Sequence, residues 1–312
     1  MQILLELSFI MDKRKQGIAL FITLMVIASI MTIIAVSFSY LEKARENAGM
    51  TSAIIQSNLL YKNTTSILKQ FFPKGKDNSE KLKLIYKTPL MLSESNSGFS
   101  LNLRCTPLLT GVPIAWIKET SDLSQSEKTT LAKATLTEVM ELYEIQEPNQ
   151  LETLILNEFN KDKNQEQMYA PRIHSKKGIT SKQQFDRIIN NYHLLYDDKK
   201  VLLVPWERYF SFLATTRDSK IDSLYLTPEF ISIAFDIPVE IVKDSWIIGE
   251  STLISFLKEN SIITPINKKI YSNKALSAMH CEQTYAYKDR FYKFNFDYIE
   301  GRSGNFEFNG KE

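Results

Sequence analysis

The chain is poor in the residues that most often carry chemistry. Among 312 residues there are two cysteines, three histidines and ten glycines. Cys105 and Cys281 sit far apart in the sequence and show no zinc spacing. His174, His193 and His280 form no i, i+4 pair, and only His280 has a cysteine beside it, so each reads as a surface or packing histidine. There is no G-x-S-x-G, no H-E-x-x-H and no glycine loop of the kind that cradles phosphate. Charge of one sign is missing too: 38 basic against 36 acidic residues leave a net charge of +2. No basic face or basic-aromatic array stands out, which argues against a nucleic-acid partner.

What the chain does have is one long apolar run. Ile18 to Phe38, IALFITLMVIASIMTIIAVSF, contains no charged residue. At the α-helical rise it spans roughly 31 Å, the hydrocarbon thickness of a bilayer. Its polar residues Thr23, Ser29, Thr32 and Ser37 are small enough to hydrogen-bond their own helix. Lys13, Arg14 and Lys15 precede the run, whereas Glu42, Lys43, Arg45 and Glu46 after it balance. The positive-inside rule therefore predicts a cytoplasmic amino terminus and export of everything after Tyr40. A cleaved secretory signal has a shorter apolar region and a small-residue site, which Phe38-Ser39-Tyr40 is not.

Gly17, between the basic cluster and the run, adds one more feature. KRKQG/IALFITLMVIASI resembles the amino-terminal signature of type IV prepilins and type II secretion pseudopilins. The resemblance implies cleavage by a prepilin peptidase between Gly17 and Ile18, with the apolar segment kept on the mature protein. The usual Glu at the fifth mature position is replaced here by Ile22. That departure, with the G-x-A-L-hydrophobic opening Gly17-Ile18-Ala19-Leu20-Phe21, is similar to the K-type minor pseudopilins of type II secretion. An ordinary signal anchor with a chance glycine is the alternative. Met11 to Gly17 would make a complete basic leader, so Met1 to Ile10 reads either as an extension ahead of the true start or as residues removed with the leader.

Beyond the membrane, no proline occurs before Pro73, and apolar or small residues recur at Leu41, Ala44, Ala48, Ile55, Leu59 and Ile67. The helix is expected to reach about Phe72, with Gly49 a soft point and no strict heptad. Pro73 to Ser79 reads as a loop, Lys81 to Leu92 as a source of a short strand, and Phe99 to Cys105 as a half-buried strand entered through Ser97-Gly98. Leu108 to Ile117 is a connection anchored at Trp116. Helices are expected after a Ser124/Glu127 capping box, at Leu151 to Asn160, at Ser181 to Tyr196 and after Thr227-Pro228-Glu229. Lys161 to Lys177 reads as a polar loop and Val201 to Phe212 as a buried segment. At the end, Cys281 to Tyr287 and Tyr292 to Tyr298 alternate around Lys288-Asp289 as a hairpin, followed by a short strand at Asn305 to Phe308.

The expected fold class is therefore α+β: a long amino-terminal transmembrane and stalk helix, and an antiparallel sheet head with a large inserted, mainly helical domain. The expected divisions are a leader at 1–17, the stalk at 18–72, the head at 73–121 plus 264–312, and the insert at 122–263. This order resembles the K-type minor pseudopilins a second time, since in that family a helical domain is inserted into a small pilin-like head. The resemblance implies a non-enzymatic subunit that caps a short filament in the inner membrane of a bacterium. Its implied partners are the I- and J-type minor pseudopilins, the inner-membrane assembly platform, the prepilin peptidase and membrane lipid. Alternatives are a minor pilin of a type IV pilus or competence system, and a signal-anchored periplasmic enzyme or binding module. Some members of the family bind calcium, for which Asp197 and Asp198 are weak candidates beside the plainer reading of solvated loop carboxylates. Cys105 and Cys281 belong to the expected head sheet, where an oxidising compartment would allow them to pair; buried free thiols are the alternative.

Overall fold

The computed structural model describes residues 2–94, 99–118, 126–160, 178–262, 265–287 and 290–311, with backbone alone at 2–20, 22, 94, 99, 287 and 311. Helix α1 runs over Gln2–Phe71 without a break. Within it, Thr23–Phe71 is long and apolar enough to cross a membrane, with mean hydropathy 2.2 in its most apolar window. Ser29, Thr32 and Ser37 each donate to the carbonyl four residues back at 2.8 Å, so these three hydroxyls are satisfied inside their own helix. Gly49 does not interrupt the helix. The chain divides into two compact units, 1–60 and 61–312.

In the second unit the last turns of α1 lead through Pro73 into α2, Ser79–Lys87. Most of Lys81 to Leu92, read as the source of a short strand, is helix. Leu82 and Ile85 lie three apart and are both buried, which is helical spacing, and Asp77 accepts from the Ser79 amide at 3.0 Å to start the turn. The strand begins only at β1, Leu90–Glu94. It pairs with β2, Phe99–Pro107, and the sheet is completed by β5 (Ala278–Tyr287), β6 (Arg290–Ile299) and β7 (Arg302–Lys311). All pairs are antiparallel, in the order β1-β2-β5-β6-β7. The last strand is longer than the Asn305 to Phe308 of the sequence reading because two register shifts let it follow β6.

Period-two alternation decides which face is which. Leu103, Cys105, Met279, Cys281, Gln283, Tyr285, Phe294, Phe296 and Tyr298 are buried on one face. The rings of Phe294 and Phe296 stack at 6.1 Å, and each buried ring contributes about 2 to 3 kcal/mol relative to exposure. The end of α1 from Tyr61 onward lies on this face: Tyr61 packs edge-on to Phe296 at 5.3 Å, and Thr64 donates to Gln283 Oε1 at 2.9 Å. The opposite face is polar, carrying Arg104, His280, Glu282, Lys293, Asn295, Asp297, Asn305 and Glu307.

Between β2 and β5 the chain leaves the sheet and builds a helical region. It opens with β3 (Val112–Pro113) and a 3-10 turn at Ile114–Ile117, where Trp116 is buried. Then follow α3 (Ser126–Leu142), α4 (Pro148–Asn160) and α5 (Lys182–Tyr196). Two 3-10 turns lead to β4 (Phe210–Ser211), which runs parallel to β3. The series closes with α6 (Pro228–Phe235), α7 (Val239–Ser245) and α8 (Leu253–Glu259). The helix starts follow from local chemistry, since Ser181 accepts from the Gln184 amide at 3.3 Å and Thr227 from the Phe230 amide at 3.2 Å ahead of Pro228. One core joins these elements through Val112, Leu136, Ile155, Phe185, Tyr192, Trp206, Phe230 and Phe256. The Ser124 cap, the 161–177 loop, Ser97-Gly98 and the Lys288-Asp289 turn lie outside the described residues.

Candidate functional site

Gly17 and Ile18, the expected cleavage junction, lie on the helical backbone of α1. Cys105 and Cys281 stand directly opposite each other on β2 and β5, and their sulfur atoms are bonded. Both are fully buried on the apolar face, so the bond is shielded from solvent.

The Asp197 and Asp198 pair separates. Asp197 takes a left-handed conformation at φ 49° as the cap of α5, its amide donating to the His193 carbonyl, and its side chain is exposed. Asp198 is buried, and its two carboxylate oxygens accept from the amides of Gln146 at 3.0 Å and Lys200 at 2.9 Å. A carboxylate whose oxygens both face N–H donors ties one helix end to another connection. It does not fit a calcium cage, and among the described residues no cluster of three acidic, histidine or cysteine side chains fits a metal.

A concavity of about 530 Å³ lies between the polar sheet face and the start of α5. His280 and Asp297 are register partners there, with Nδ1 2.7 Å from Oδ1. Asn305 donates to the other Asp297 oxygen at 2.6 Å and to the Thr180 carbonyl at 2.9 Å, which links the sheet to the helical region. The Asp297 hydrogen bond raises the His280 pKa above its ordinary value. A carboxylate orients this imidazole, but among the described residues no serine or cysteine side chain is hydrogen-bonded to it. The arrangement is thus a polar clamp between the sheet and the helical region. Sequence reasoning read His280 as a surface or packing histidine and missed its partners. The available signal was Asp297 between Phe296 and Tyr298, which period two sends to the opposite face, but the register that pairs it with His280 is a tertiary fact.

A third buried acid, Asp222, was not legible at all. Its oxygens accept from Leu224 N at 3.0 Å and Leu276 N at 2.7 Å, and Glu300 accepts from Ser277 N at 3.1 Å. The two carboxylates thereby hold consecutive amides where the chain returns to the sheet. Burial pushes the Asp222 carboxyl up to about 7, aided by Glu300 and opposed by the two amide donors. Its folded pKa exceeds its unfolded value, so the folded state holds a proton that the unfolded chain releases, and stability falls as pH rises from about 4 to 7. His280 acts in the same sense: its stabilisation is complete below the ordinary histidine value and is lost as pH rises through the raised one. The head is therefore expected to be more stable at pH 5 than at pH 8, with up to ~3 kcal/mol of the difference from Asp222. Urea unfolding across that range tests this. Asp222→Asn should flatten the slope, and a slope unchanged in that variant would show that the acid is not its source.

No family model and no curated protein matches the chain. Among solved structures it is similar to a chain in the crystal structure of the GspK-GspI-GspJ complex from the type 2 secretion system of enterotoxigenic Escherichia coli. The two share 10% identity at a TM-score of 0.47, over 84% of this chain and 97% of that one.

Proposed function

We propose that this protein is a K-type minor pseudopilin of a type II secretion system, anchored in the inner membrane with its amino terminus cytoplasmic. The observation that carries the reading is the basic-Gly17-apolar junction on a helix that runs unbroken to Phe71 and ends on an antiparallel sheet carrying a helical excursion between two of its strands. On this reading the protein is a structural subunit, and packing rather than catalysis does its work. The mature protein starts at Ile18. Replacing Gly17 by a bulky residue is expected to abolish processing, because the peptidase must bring the scissile backbone close. Amino-terminal sequencing of membrane-extracted protein tests this, and residues 1–17 still attached to the unaltered protein would overturn the reading.

The finer proposal is a place at the tip of the filament, next to I- and J-type partners. A compact head of some 240 residues has a radius of gyration of roughly 18 Å. Stalk helices pack only ~8 to 10 Å apart, so such heads clash at neighbouring levels except at the end. Ile22 in place of the usual Glu fits a subunit with no neighbour ahead of it. Labelled copies found all along isolated filaments would exclude the tip.

A further inference from the structure

Gln283 puts an amide on the apolar face of the sheet. It stands mid-strand in β5 between its register partners Leu103 and Phe294, and it is buried with them. Its amide oxygen accepts from Thr64 of α1 at 2.9 Å, while its amide nitrogen, equally buried, has no hydrogen-bond partner. Turning the amide over only exchanges the roles: the Thr64 hydroxyl serves one amide atom, and the other stays unpaired. A buried polar atom left unpaired costs roughly five- to a hundredfold in the folding equilibrium, whereas an apolar side chain of the same shape avoids that cost. Stability therefore does not account for an amide here.

What the end of α1 otherwise offers the sheet is apolar and repetitive. Tyr61 packs on Phe296 and Phe306 at 5.3 and 4.9 Å, Leu68 is buried, and Phe72 meets Tyr298 at 6.5 Å. Such contacts are non-directional, and a helix face that recurs about every four residues can seat one turn higher or lower with similar burial. The amide distinguishes these seats. Thr64 can serve it, but four residues on is Leu68 and four residues back is Leu60, and neither side chain can hydrogen-bond. Either shift leaves both amide atoms buried and unpaired. The bond from Tyr61 to Ser303 at 2.9 Å is exposed to water, so it discriminates little.

We propose that Gln283 is a positioning residue, which selects a single register for Tyr61–Phe71 on the sheet at a cost in stability. A lone polar residue in an apolar seam fixes the register of coiled-coil helices by the same physics. Thr64 is its key, and the pair does by direction what the surrounding rings cannot do by burial. The inference concerns the seat of the helix alone and holds whether or not the secretion reading does.

The test uses the full chain in a maltoside micelle, with spin labels on Lys69→Cys and Arg302→Cys, both exposed positions, while the native cysteines stay in their bond. With Gln283 and Thr64 in place, spin-echo measurement should give one narrow distance. Gln283→Met keeps the volume and removes the amide, so it should raise the urea midpoint and add a second distance, displaced by up to about 5 Å, one helical turn. Thr64→Val should lower the midpoint, because both amide atoms then lack partners. Thr64→Ser keeps the hydroxyl and should retain both the midpoint and the single distance. If Thr64→Val does not fold, Gln283→Met and Thr64→Ser decide. The proposal is overturned by a single, unshifted distance in Gln283→Met, which would leave the register to packing alone. It is overturned equally by a Gln283→Met midpoint at or below that of the protein with Gln283, which would show that the amide carries no cost.

Discussion

Reduction of the bond between Cys105 and Cys281 is expected to lower the unfolding free energy by roughly 5 kcal/mol, enough to leave a protein of ordinary stability barely folded. The bond closes a loop with a sequence separation of 176 residues, so in the chain-entropy model it removes more freedom from the unfolded state than most native disulfides do. Urea unfolding of oxidised and reduced protein, followed by tryptophan fluorescence, measures the difference. All three tryptophans lie between the two cysteines, so the signal reports the region the bond encloses. A difference below about 1 kcal/mol would mean that the bond does not constrain the unfolded ensemble as the loop model requires.

Gly111→Ala is expected to cost at least ~3 kcal/mol, for a different physical reason. A methyl group at that position would lie 2.3 Å from the Tyr209 carbonyl oxygen and 2.6 Å from its carbon. These are backbone atoms of a segment already fixed on both sides. The Val112 amide donates to the same carbonyl at 3.0 Å, and Ser211 Oγ donates to the Gly111 carbonyl at 3.1 Å. Neither strand can retreat without breaking the β3 and β4 pair that opens the helical region. Thermal unfolding of the variant beside Gly49→Ala provides the contrast, because Gly49 has nothing within 4 Å and sits in a helix that alanine favours. Equal melting temperatures would refute the steric account.

The legible parts of this fold were those whose signal is local. The apolar run, the Ser181 and Thr227 caps and the alternation of β5 and β6 each depend on a few adjacent residues, and each lies where the pattern puts it. Lys81 to Leu92 misled because Leu82, Leu84 and Tyr86 also satisfy period two. What decides is the burial of Leu82 and Ile85 with Leu84 left exposed, which depends on what α2 meets. The cysteines were assigned to the sheet from their alternating neighbours, whereas their direct opposition is a matter of register between distant strands. The same limit hid the clamp at His280 and the acid at Asp222. Each is made by amides or side chains far along the chain, and a lone aspartate carries no mark of the donors it will find.

The pairing of β2 with β5 also sets a timetable. At ribosomal speeds of about 5 to 20 residues per second, Cys281 is made some 9 to 35 s after Cys105. Strands β5, β6 and β7 are consecutive and can zip as a meander as soon as they emerge, while β2, paired early with β1, must wait for the whole helical region before it meets β5. During that interval the first thiol has no partner in its own chain, because the sequence holds only one other cysteine. The chain therefore cannot form a wrong bridge within itself. Its one hazard is another molecule, and that hazard ends when the last strands arrive.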